Sequence, residues 1–211
     1  MARLIDIGLE RVSDILMDMA NLSEKSVSAA IESYITGRAR IEEIRSWSEE
    51  IRQLQDDVSE LCVDIIARYQ PVASDLRFVK AAMDIAYGFS RFGRYAYDIV
   101  DVLELCGDLT TCDKSIVELT SKTTREMLKM SVDAFANRDI ELAKNVQKMD
   151  DFVDDKFREA IDRSIHATTE NVKCAVSESL ILRYLERISD HASYIGDSVL
   201  YIVTGERAPR K

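Results

Sequence analysis

The sequence predicts an all-α fold of six long helices, arranged as two repeated antiparallel three-helix bundles at residues 1–107 and 108–211. Three observations lead there. Two prolines and seven glycines in 211 residues, with 31% charged and 46% hydrophobic, favour long helices over sheets or disorder. Apolar residues recur at mixed three- and four-residue steps through six stretches. The second half of the chain repeats the plan of the first.

The first helix is expected from about Asp6 to Tyr34, with Leu9, Val12, Ile15, Leu16, Met19, Leu22, Val27 and Ile31 on its apolar face; Thr36-Gly37 ends it. The second runs from about Ala39 to Tyr69 through Ile41, Ile44, Trp47, Ile51, Leu54, Val58, Leu61, Ile65 and Ile66, until Pro71 disfavours helical geometry at Gln70. Ser74 is the expected N-cap of the third, about Asp75 to Cys106, which stops at Gly107. The fourth opens at Thr110, Thr111 or Cys112, carries Ile116, Leu119, Met127, Met130 and Phe135, and ends near Asn137. The fifth begins at 138–140 and runs through Leu142, Val146, Met149, Val153, Phe157 and Ile161 to about Ala167. The sixth starts near Thr168-Thr169-Glu170 and reaches Val203, with Thr204-Gly205 as its stop.

Charge and the N-terminus narrow the function classes. With 38 acidic against 28 basic residues the formal charge is −10, which opposes binding to nucleic acid or anionic lipid. No apolar run reaches the ~20 residues that span a bilayer, and Asp6 places an acid too early for a secretory signal, so a soluble, cytoplasmic protein without membrane insertion is expected. Cys62, Cys106, Cys112 and Cys174 show no C-x-x-C spacing; free thiols are the default, and Cys106 and Cys112, flanking a short loop, are the pair that oxidation would join.

The repeat is visible in residues. Lys25-Ser26-Val27 answers Met130-Ser131-Val132; Ile44 and Ile51 answer Val146 and Val153; Phe89-Ser90-Arg91-Phe92-Gly93-Arg94-Tyr95-Ala96 lines up with Leu185-Glu186-Arg187-Ile188-Ser189-Asp190-His191-Ala192. Glu186 and Asp190 stand four apart, stacked on one helix face about 6 Å apart along the axis. Taken alone, such a pair is more often a solvated face neutralised by Arg183 or Arg187 than a ligand set. A second pair, Asp150 and Asp154, has the same spacing on the fifth helix, so the four acids are candidate oxygen ligands of one cation. In the first repeat the equivalent positions are Ser48, Arg52, Ser90 and Arg94, and all four acids are missing together, as expected of groups that act as a unit.

Three segments in order, Tyr69-Gln70-Pro71-Val72-Ala73-Ser74-Asp75-Leu76-Arg77, Glu186-Arg187-Ile188-Ser189-Asp190-His191-Ala192 and Tyr201-Ile202-Val203-Thr204-Gly205-Glu206, resemble the signatures of the PhoU family of phosphate-uptake regulators. The resemblance covers nearly the whole length. It implies two similar three-helix bundles, each able to bind a metal cluster through acidic motifs on neighbouring helices; here those motifs fall on Asp150, Asp154, Glu186 and Asp190. Where the family commonly has Asn, eight residues after the Glu, this chain has Tyr194 and, in the first repeat, Asp98. The first-repeat site is expected to be empty or filled by its arginines. The resemblance also implies a regulator that restrains the phosphate ABC transporter and damps starvation signalling, with the transporter ATPase or a sensor kinase as partners. All-carboxylate ligation suits magnesium, calcium, manganese or iron and argues against a thiolate zinc site.

Enzymatic readings lack their working parts: there is no G-x-x-x-x-G-K-[ST], G-x-G-x-x-G or G-x-S-x-G. His166 and His191 lack an E-x-x-H motif, and His191 points about 100° from Asp190, as a helix-surface or interface residue. Phe92 and Tyr95 fit core spacing, whereas Tyr87 and Tyr97 suit a partner surface. Gly88 and Gly93 allow close helix approach, read here as a homodimer contact. The alternatives to a non-enzymatic regulator are a metal-dependent helical enzyme using the same acids to activate water, and a metal-free scaffold.

Overall fold

The computed structural model describes residues 3–169 and 171–206. Six helices follow one another: α1 (Leu4–Thr36), α2 (Ile41–Tyr69), α3 (Ala73–Cys106), α4 (Ser115–Asn137), α5 (Ile140–Ile165) and α6 (Val172–Thr204). Short connections force sequential helices antiparallel. α1, α2 and α3 pack on one another, as do α4, α5 and α6, and α3 against α6 joins the two bundles through one continuous apolar core.

Helix ends follow the expected chemistry in most places. Gly37 and Gly205 adopt left-handed φ of 73° and 79°, freeing the chain to turn where a side chain would be strained. Gln70 takes φ 47° directly before Pro71. The Asp139 carboxylate accepts hydrogen bonds from the Glu141 and Leu142 amides and so caps α5. Three starts differ from expectation. α3 begins at Ala73 with Val72 as its flanking residue, and Ser74 makes no cap. α4 opens at Ser115, because the Asp113 carboxylate receives the Ser115 amide and holds residues 107–114 as a loop. α6 opens at Val172; of the expected start, Glu170 lies outside the described residues.

The predicted apolar stripes are mostly inside: Val12, Leu16, Met19, Ile44, Ile51, Phe92, Val146, Val153 and Ile188 are fully buried. Ile66, Leu119 and Ile161 are not, at 39%, 49% and 40% exposure. They stand at the margins of their apolar faces, beyond the reach of the neighbouring helices.

The homodimer contact assigned to Gly88 and Gly93 is corrected. A Cβ at Gly88 would stand 3.0 Å from Ile195 of α6, and one at Gly93 would stand 2.8 Å from Ile51 of α2. Both glycines serve close packing inside the chain. A third glycine meets backbone rather than a side chain: a Cβ at Gly196 would stand 2.9 Å from the carbonyl oxygen of Ala143, so α6 lies directly on α5 there.

The cysteine expectation is also corrected. Cys112 is bonded to Cys174, with Cα atoms 5.4 Å apart, while Cys62 and Cys106 are free. The first turn of α6 packs back onto the loop before α4, so the partner lies 62 residues away in sequence rather than six.

Candidate metal centre

Asp150 falls between Val146 and Val153 on α5, four and three residues from two fully buried valines, so its carboxylate must face α6. It is only 9% exposed. Asp154, one turn on, and Asp190 of α6 are more open, with side-chain exposures of 28% and 18%. One carboxylate oxygen from each of these three residues lies within 4.8 Å of the others. They are the one such group among the described residues.

The fourth predicted ligand does not join them. Glu186 is turned toward two arginines: Arg183 Nη1 donates to Oε1 at 2.8 Å, and Arg187 Nε lies 3.1 Å from Oε2 without the alignment of a hydrogen bond. Arg187 also reaches Asp190 at 3.0 Å, and Arg158 reaches Asp154 at 3.5 Å. The guanidinium groups supply positive charge where four carboxylates crowd together. At Glu186 the commoner alternative holds, local neutralisation by Arg183 and Arg187, whose guanidinium groups claim its oxygens.

The charge is not fully compensated. Burial first, and then the Asp190 carboxylate, push Glu186 up to about 7 from its ordinary 4.5. Asp154 Oδ1 and Glu186 Oε2 are buried oxygens that receive no hydrogen bond. Buried carboxylate oxygens without donors, beside a three-oxygen cluster drawn from two helices, fit a hard or borderline cation with oxygen ligation. Asp150, Asp154 and Asp190 would be its ligands, with Glu186 within reach if its arginines let go.

An acid whose folded pKa is raised binds a proton more readily in the native state, so stability is lost as pH rises from about 4.5 through about 7. Glu186→Gln removes that loss. With metal chelated, the variant is expected to be more stable than the parent by about 1–3 kcal/mol at pH 8 and equal to it near pH 4. Denaturant melts across that range read the difference; a difference flat with pH would contradict the electrostatic account.

Of the two readings of His191, helix surface or interface, the second holds, with the interface inside the chain. It is 9% exposed, at the α3–α6 seam, with ring centroids of Tyr87, Tyr95 and Tyr194 at 5.7, 5.9 and 5.5 Å. Burial, reinforced by Arg91 and Arg187, pulls it down to about 4, so it is neutral near pH 7. Tyr87 and Tyr194, at 51% and 55% exposure, form the outer edge of this cluster.

The first repeat carries a different arrangement at the equivalent place. Arg94 pairs with Asp98 at 3.0 Å, and Arg52 pairs with Glu49 and Asp56 at 2.7 and 3.0 Å. Each arginine turns to carboxylates of its own helix. Ser48 lies where α2 passes close to α3, its Cα 3.4 Å from the position of a Cβ on Gly93.

Fold and acids together define a class: an all-helical protein of two antiparallel three-helix bundles with a carboxylate cluster between its last two helices. The PhoU domain model matches residues 16–103 and 117–199, one stretch in each half, and the chain belongs to the PhoU family. It is similar to the phosphate-specific transport system accessory protein PhoU homolog of Pseudomonas putida, 32% identical over 204 residues that span 93% of this chain and 79% of that one. A homolog of the same description from Deinococcus radiodurans is 31% identical over 216 residues, covering 98% of this chain and all of its own. The crystal structure of PhoU from Pseudomonas aeruginosa superposes with a TM-score of 0.89 at 29% identity, covering 95% of this chain and 99% of that one. That of a phosphate transport system regulatory protein from Streptococcus pneumoniae gives 0.89 at 20% identity and supports the fold alone.

Proposed function

We propose that this protein is a cytoplasmic regulator of phosphate uptake and of phosphate-starvation signalling, which works by binding partner proteins and carries a metal site in its second repeat. The observation that carries the regulatory reading is the family match in both halves of the chain, at residues 16–103 and 117–199. Its relatives are named accessory proteins of a phosphate-specific transport system, which points to the transporter ATPase, a sensor kinase or both as partners. Among the described residues no helix is long and apolar enough to cross a membrane, so contact with a transporter would be made from a protein surface. Each of the spans 1–107 and 108–211 is read as one repeat unit.

Asp150, Asp154 and Asp190 are the proposed ligands, with Glu186 as a fourth that requires its arginines to move. A magnesium, calcium, manganese or iron ion there would supply positive charge that joins α5 to α6 and an exposed coordination side for an anionic group. Asp150, the most buried of the three, would anchor the ion, and Asp154 and Asp190 would supply its further carboxylate oxygens. The non-enzymatic reading is favoured over water activation by the relatives, which are named accessory proteins.

Co-purification tests the regulatory role. The tagged full chain is expected to retain the ATPase subunit of a phosphate transporter from the same cell. An Asp150→Asn/Asp190→Asn variant run beside it reports whether retention needs the metal site. Absence of the ATPase from both eluates would overturn the partner reading.

A further inference from the structure

The loop at residues 107–114, which connects the two bundles, is clasped from both sides. Lys114 Nζ donates to the Ile35 carbonyl at the end of α1 at 3.0 Å, and Lys173 Nζ, in the first turn of α6, donates to the Asp108 carbonyl at 2.6 Å. Between these two clasps lies the Cys112–Cys174 bond. We propose that this pair is a reversible oxidation site: a hydroperoxide, or another two-electron thiol oxidant, locks the inter-bundle loop to α6, and a dithiol releases it.

Four observations carry the proposal. Both sulfurs belong to half-buried residues, within reach of small oxidants and reductants, unlike the fully buried Cys62. Cys174 is the third residue of α6, where unpaired backbone amides stabilise a thiolate and Lys173 adds positive charge, which makes it the attacking sulfur. Among the described residues, 47 buried apolar side chains form a core that runs through both bundles, so the fold does not depend on the cross-link as small disulfide-rich domains do. Finally, Lys173 holds the loop against α6 and Lys114 holds it to the end of α1, both independently of the sulfurs, which keeps the thiols close enough to re-form the bond.

The chemistry balances without a protein-bound cofactor. The Cys174 thiolate attacks one peroxide oxygen, the O–O bond breaks, and the sulfur becomes a sulfenic acid. The Cys112 thiol then displaces water from it and the S–S bond forms. With hydrogen peroxide, two thiols and one peroxide give one disulfide and two waters, and the two electrons lost by sulfur reduce the peroxide. An external dithiol reverses the step by exchange.

The full-length protein, reduced and then treated with hydrogen peroxide, is blocked with an alkylating agent, digested without reductant and read by mass spectrometry. The expected result is loss of two of the four thiols, a Cys112–Cys174 cross-linked peptide, and complete recovery of the thiols in dithiothreitol under native conditions. The oxidised form should melt roughly 10 °C above the reduced one. Cys112→Ser and Cys174→Ser should each abolish that shift while keeping the helical circular-dichroism spectrum. Four alkylatable thiols after peroxide, a Cys106–Cys112 peptide as the main product, or a bond that native dithiothreitol leaves intact would each overturn the proposal.

Discussion

Gly196→Val is expected to cost more than 3 kcal/mol, enough to separate α5 from α6 or unfold the second bundle. The position lies within α6, fully helical, where valine gains roughly 0.5 kcal/mol or less of intrinsic propensity over glycine. That gain is outweighed by contact. A Cβ there would stand 2.9 Å from the Ala143 carbonyl oxygen, and backbone, unlike a side-chain tip, cannot rotate away. The valine methyls would push the helices apart over the segment that sets the distance from Asp150 to Asp190. Gly88→Ala provides the comparison, because its nearest neighbour is the flexible Ile195 side chain at 3.0 Å. Urea melts should show a cost of at most about 1 kcal/mol at Gly88 and several times that at Gly196. Equal costs at the two glycines would show that the α5–α6 approach is not rigid.

The second large effect concerns the acids. Manganese or magnesium at about 100 times its dissociation constant is expected to stabilise the parent protein by about 2.7 kcal/mol, through binding the folded state alone. In a chain of this length that is a melting shift of roughly 5–10 °C. Asp150→Asn should lose at least about 100-fold in affinity, since removing a ligand costs no less than disturbing the residues that support one, and the melting shift should vanish with it. Arg187→Gln should act in the opposite direction. Its guanidinium group lies against both Glu186 and Asp190, at 3.1 and 3.0 Å, and competes with a cation for the same oxygens. A thermal-shift titration that rises identically for the parent and for Asp150→Asn would place the ion elsewhere.

Much of this was legible in the chain because helical proteins write their contacts at short range. Apolar spacing located all six helices, and the glycines at 37, 107 and 205 located three of the stops. The acidic pairs were legible for the same reason: four residues make one turn, so Asp150 with Asp154 and Glu186 with Asp190 had to share faces. What spacing cannot carry is which neighbour a side chain chooses. Glu186 sits on the predicted face yet answers to Arg183 and Arg187, both within three residues of it. Gly88 and Gly93 were recognised as points of close approach, but a sequence does not state whether the approaching helix belongs to the same chain. Cys112 and Cys174 lie 62 residues apart, and only the return of α6 to the inter-bundle loop brings them together. His191 reads as a surface or interface position by angle from Asp190, and only the packing of α3 on α6 shows which, since the tyrosines of α3 and Tyr194 cover it.

The most direct test of the metal seat is anomalous diffraction from crystals of the full chain grown with manganese. A peak between α5 and α6, bonded to carboxylate oxygens of Asp150, Asp154 and Asp190 at about 2.0–2.2 Å, is the predicted result. A well-diffracting crystal with no anomalous density among these three residues, or with manganese bound only at other acids of the surface, would contradict it.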